Sequence, residues 1–139
     1  MPHINRIRLV NVNYNDAKSI YDDFNMRLDG KSTTYDLINT GGKSMLILML
    51  LQTVLPNTYL KKEKPIKNIF IGGNTKRTSR CLVEWELDEG YEYKYMLTGF
   101  CARKKQESDN DEEDDSKLEI DYYNYCYFYN DYAQIDIKK

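Results

Sequence analysis

The chain has 139 residues, 41% of them hydrophobic, and a formal net charge of −2. That length suits one domain, or one lobe of a larger one, and the slightly acidic balance excludes the strongly basic kind of general nucleic-acid binder. The longest strongly apolar run, Met45 to Leu51, is far too short to cross a bilayer. Cys81, Cys101 and Cys126 lie far apart without metal-ligand spacing, and the first residues lack a charged-then-apolar leader pattern. These features predict a cytoplasmic location, no membrane partner, and reduced, mostly buried thiols.

From the N-terminus, Ile4 to Asn13 alternates, with Arg6, Arg8 and Val10 on one register and Ile7 and Leu9 on the other. This predicts a strand with one polar face, near a sheet edge. Asn11 to Asp16 is turn-rich, Ser19 to Leu28 predicts a second strand with Phe24, Met26 and Leu28 on one side, and Asp29-Gly30-Lys31 turns the chain back. Ser32 to Ile38 predicts a third strand.

That strand feeds the stretch Asn39-Thr40-Gly41-Gly42-Lys43-Ser44, followed at once by Met45-Leu46-Ile47-Leu48-Met49-Leu50-Leu51. Two glycines, a lysine and a hydroxyl residue at a strand-to-helix junction are the composition of a phosphate loop. Backbone N–H groups and a helix N-terminus face the anion, and one ammonium group sits over it. The full pattern calls for glycine at position 37, where this chain has Leu37; Asn39 compensates in part because asparagine tolerates left-handed geometry. The helix is expected from about residues 42–44 to Val54. Its leucines and methionines occur on every side, which predicts burial all round.

Beyond it, Lys61, Lys62, Lys64 and Lys67 mark a basic exposed connection, read as a solvated surface with DNA contact as the lesser alternative. Gly72-Gly73-Asn74 opens no helix and is read as structural. Cys81 to Leu87 and Tyr91 to Phe100 alternate about the turn Asp88-Glu89-Gly90, which predicts a hairpin with Val83, Trp85 and Leu87 inward and Glu84 and Glu86 outward. The run 107–116 is so acidic that a disordered loop is expected, without the glycine and bidentate glutamate of a calcium loop. Leu118 to Tyr132 returns to strand character. Its tyrosines suit either a core-plus-partner interface or a stacking platform for bases, and the surrounding acids favour the interface. A further strand beginning at Ala133 suggests an excised fragment.

The runs Arg6 to Tyr14, Tyr35 to Ile47, Gln52 to Pro56 and Leu82 to Leu87 together resemble the N-terminal head lobe of structural-maintenance-of-chromosomes (SMC)-like ATPases, notably bacterial chromosome-segregation and phage-defence types. The likeness covers roughly residues 3 to 105, more loosely 117 to 139. It implies an α/β class: the N-terminal lobe of an ABC-type P-loop NTPase head, with a mixed sheet around a buried helix and β-hairpins. In that family the head is split by a long coiled coil. The C-terminal lobe brings the signature motif, the acidic strand end and the catalytic glutamate, none of which is found in this chain.

Carried over, the resemblance implies ATP and Mg²⁺ as cofactors, bound by Asn39, Thr40, Gly41, Gly42, Lys43, Ser44 and Met45. Lys43 would be the catalytic cation and Ser44 the metal ligand. The implied partners are the missing C-terminal head lobe, a second SMC-like head, accessory subunits, and DNA in the full complex. The segment alone is expected to be inactive. Arg77 and Arg80 are candidates for contact between heads, with a solvated loop the commoner fate of such residues. The competing reading is a degenerate P-loop domain serving as a protein-interaction module, docked through the tyrosines around Tyr125 and Tyr127.

Overall fold

A computed structural model describes residues 1–14, 19–36, 42–55, 78–104 and 120–131. Five strands and one helix follow in the order β1 (His3–Tyr14), β2 (Ser19–Arg27), α1 (Lys43–Val54), β3 (Ser79–Glu86), β4 (Tyr95–Lys104) and β5 (Ile120–Tyr129). The strands make one sheet, ordered β2-β1-β3-β4-β5, and every described pairing is antiparallel. A helix combined with hairpins is therefore present, but parallel pairing of the kind a mixed sheet requires does not occur among the described residues.

The register explains why this pattern of residues closes a core. Ile7 lies opposite Met26 on one side and Val83 on the other, while Leu9 lies between Phe24 and Cys81. Cys81 in turn faces Phe100. Because side chains alternate across a strand, all of these fall on one face of the sheet. Met45, Leu46 and Met49 of α1 pack onto that face, and Leu9, Val12, Met49, Cys81 and Val83 are wholly buried there.

β1 lies between β2 and β3 rather than at an edge, so its polar face is an interior strand's outer face. Its apolar parity would fail after Leu9 without an irregularity. Asn11 supplies one: it adopts φ 52°, it has no partner in the pairing with β2, and Val12 and Tyr14 then return to the core side. Asn11 Nδ2 donates to the Thr78 carbonyl and its own carbonyl accepts from Ser79 Oγ, so the polar groups of this left-handed residue are satisfied by the start of β3. A register slip does occur at Asn5, where the β1–β3 pairing shifts between Ile4 and Arg6, whereas the β1–β2 register runs unchanged past Asn11.

The helix departs from expectation. Met45, Leu46, Met49, Gln52 and Thr53 form its buried face, but Ile47 is 57% exposed, and Leu51, Val54 and Leu55 are also exposed. The described residues cover one side of α1 only, because among them the sheet is a single layer against it. Two buried polar residues are accommodated by a chain of hydrogen bonds. Trp85 Nε1 donates to Thr98 Oγ1 at 2.9 Å, Thr98 Oγ1 to Thr53 Oγ1 at 3.2 Å, and Thr53 Oγ1 reaches the Leu50 carbonyl at 2.8 Å.

Several local expectations are corrected. Ser32 to Asp36 is irregular rather than strand, and β4 starts at Tyr95 because residues 87–94 are spent on a wider turn. Of the cysteines only Cys81 is buried; Cys126 is exposed on β5. Glu84 does lie on the face away from Val83 and Trp85, as expected, but it is buried there, at 1% exposed. The basic connection 61–67, the acidic run 107–116, Arg77 and the segment from Tyr132 onward lie outside the described residues.

Candidate functional site at the start of the helix

The first turn of α1 follows from one glycine. Gly42 is the N-cap residue and sits at φ 79°, ψ 20°, a left-handed conformation that side chains with a Cβ adopt at a cost. Its carbonyl already accepts the Leu46 N–H at 2.9 Å, so the helix begins immediately behind it. A Cβ on Gly42 would lie 2.6 Å from Tyr21 Oη and 3.1 Å from the Tyr14 ring. Those two tyrosines stack at 4.4 Å between centroids and wall the glycine on its β1–β2 side.

Among the described residues no side chain caps this helix, and its first turn carries no acidic residue. The opening N–H groups of any helix lack intrahelical acceptors and carry the positive end of its dipole. Here Gly42 holds the cap position that a side-chain acceptor usually takes, and the first helical residues, Lys43 and Ser44, are exposed. Among the described residues no carboxylate pairs with Lys43. Met45 contributes only its main chain, since its side chain is buried in the core.

Of the sequence-derived site, Gly42, Lys43, Ser44 and Met45 thus come together in one helical turn. Asn39, Thr40 and Gly41 lie outside the described residues, as does Leu37. Arg80 is not in a loop: it is the second residue of β3, on the sheet face opposite the helix. Asp88 and Glu89 lie in the region between β3 and β4, with Asp88 taking the ion pair of the N-terminal ammonium group.

A magnesium ion at such a turn takes most of its ligands from phosphate oxygens and water, so a single protein hydroxyl is what it requires of the chain. The exposed Ser44 fits that need, and no cluster of three or more His, Cys, Asp or Glu side chains able to hold a metal occurs among the described residues.

The open face of the sheet holds an arrangement that sequence reading missed. Glu84 accepts from Asn5 Nδ2 at 2.7 Å, from the Arg6 guanidinium at 3.3 Å and from the Tyr129 hydroxyl. It ties β1, β3 and β5 together with its charge compensated in place. Burial, then the bond to Glu84, push the Tyr129 phenol well above its ordinary range. The signal was the arginine-and-glutamate content of β1 and β3, but matching Arg6 to Glu84 needs the register that the Asn5 slip sets.

Comparison with family models, with curated proteins and with solved structures finds no match. The described chain is thus characterised as a single-layer antiparallel sheet carrying one helix with an uncapped, lysine-bearing N-terminus.

Proposed function

We propose that the chain binds ATP with Mg²⁺ at the start of α1, as the N-terminal lobe of an SMC-like ATPase head. The observation that carries this reading is the left-handed Gly42 cap, which leaves an uncapped first turn flanked by exposed Lys43 and Ser44. Phosphate oxygens accept from the main-chain N–H groups of that turn, where the helix dipole favours negative charge. The Lys43 ammonium neutralises charge that gathers on the transferring phosphoryl group. Ser44 Oγ completes the magnesium shell.

Hydrolysis also needs a group that orients the attacking water and a second clamp on the terminal phosphate. The first turn of α1 carries no acid, so this lobe binds and a completing C-terminal lobe, with a second head, makes the site hydrolytic. The exposed stripe of Ile47, Leu51 and Val54 supports that division, because an apolar helix face of this kind suits packing against another layer. Turnover then drives a complex acting on DNA with accessory subunits.

The test is ATP turnover in the polypeptide that joins this lobe to the rest of its head. Lys43→Ala is expected to abolish turnover while circular dichroism stays unchanged. Turnover at the original rate in that variant sinks the proposal. Absence of any ATP-dependent thermal shift in the complete head would favour a degenerate fold used only for protein contact.

A further inference from the structure

The face of the sheet turned away from α1 is organised in ranks. Across the strands, Arg8 is level with Leu82, Gly99 and Tyr125; Arg6 with Glu84, Leu97 and Tyr127; and Arg80 with Cys101 and Tyr123. Tyrosines on one edge strand therefore stand opposite arginines two or three strands away, at each of three successive levels. Alternate residues on a strand are roughly 6.8 Å apart, so the tyrosine column of β5 repeats at a distance an extended polynucleotide can follow.

The tyrosines are held, not loose. Tyr125 lies over Gly99, the one position of that strand with no Cβ to lift the ring off the sheet. Tyr127 stacks on buried Tyr129 at 5.8 Å, and Arg103 lies 5.1 Å from the Tyr123 ring centre while donating to its hydroxyl. Yet Tyr123, Tyr125 and Tyr127 remain 46%, 38% and 56% exposed. A fixed aromatic ring with a free face stacks on a nucleobase of any identity, and an adjacent arginine meets the phosphate.

Charge selects the occupant. Arg6 and Arg8 are neutralised by Glu84 and Asp23. Arg103 is highly exposed, with Asp121 no nearer than 3.9 Å, and Arg80 stands between β1 and the tyrosines. We infer that the column Tyr123, Tyr125 and Tyr127, with Arg80 and Arg103, binds single-stranded nucleic acid without sequence preference. A duplex keeps its bases stacked inside and offers these rings nothing to cover. The site lies on the opposite side of the sheet from the start of α1 and uses none of its residues. The chain's net charge of −2 opposes the binding and sets it at the weak end.

The experiment titrates the 139-residue chain, without nucleotide, into fluorescein-labelled oligo(dT) and oligo(U) of fifteen residues at low salt, read by anisotropy. Both are expected to bind, with a log–log salt slope of about −1.4 for two phosphate contacts, and a fifteen-base-pair duplex at least about fivefold more weakly. Tyr127→Ala and Tyr123→Ala should each weaken binding by at least about fivefold, while the corresponding Phe variants, which keep the ring, stay within twofold. Arg80→Gln with Arg103→Gln, surface changes that leave the core intact, should weaken binding and flatten the salt slope. No binding by the folded wild-type chain, equal affinity for duplex, or Ala variants that bind as the wild type overturn the inference. So does the tyrosine face serving instead for self-association, read as a Tyr127-dependent dimer that excludes oligonucleotide. Because no nucleotide is present, none of these outcomes bears on ATP binding at Lys43.

Discussion

At the level of single residues, two positions concentrate what is unusual here. Gly42 is required twice over, for its positive φ and for the space that Tyr14 and Tyr21 leave it. Gly42→Ala should therefore destabilise the fold by at least about 1–2 kcal/mol from the left-handed conformation alone, visible as a lowered urea midpoint, and should displace the tyrosine pair. Glu84 is the other. Its carboxylate has three partners, so Glu84→Ala strands the Arg6 guanidinium on a nearly buried site, with an expected loss of about 3–5 kcal/mol. Tyr129→Phe removes one charge-assisted hydrogen bond and should cost about 1.5–3 kcal/mol. Equilibrium urea denaturation separates these, and equal stability of all three proteins would refute the network's structural role.

At the level of elements, α1 is two-sided in a way its sequence conceals. Leucine, isoleucine and methionine occur all around it, yet only the Met45–Met49–Gln52 side meets the sheet. Substitutions on the two sides should part sharply. Met49→Ala is expected to cost about 2–5 kcal/mol, whereas Leu51→Lys should stay within about 0.5 kcal/mol in this chain. The Leu51→Lys change should instead weaken docking of the completing lobe, measured by co-purification of the two lobes expressed as separate chains. A large loss of stability in Leu51→Lys would mean that this face is already packed. β5 is likewise two-sided, with Tyr122 and Phe128 beside Phe100 and Tyr93 on the helix side and the exposed tyrosine column on the other.

At the level of the whole molecule, the sheet gathers acidic side chains with raised pKa values. Burial lifts the thiol of Cys81 and the phenols of Tyr21, Tyr122, Tyr125 and Tyr129, with Tyr125 pushed up to about 12. Each of these groups is held neutral by the fold and ionises more readily when the chain unfolds. Their contribution to stability is complete below about pH 9 for the thiol and about pH 10 for the phenols, and is lost as the pH rises from there through the folded values. Thermal melts should therefore decline steeply between pH 10 and 12, and Tyr129→Phe should flatten part of that decline. A melting temperature constant to pH 12 would contradict it.

What could be read from residues alone was whatever depends on near neighbours in the chain. The alternation of Ile7 and Leu9, the hairpin composition around Asp88, and the start of α1 at Gly-Gly-Lys-Ser all express local periodicity or local backbone freedom, and the structure bears them out. Tertiary structure decided what depends on partners far apart in the chain. It put β1 inside the sheet, buried Glu84 against Arg6 and Tyr129 on the outer face, and left one side of an evenly apolar helix uncovered by the described residues. The physical reason is that a one-residue slip at Asn5, or a left-handed residue at Asn11, exchanges the faces of the strand residues that follow it. Periodicity within a strand carries no information about which neighbour it will pair with, or about how many layers will cover a helix.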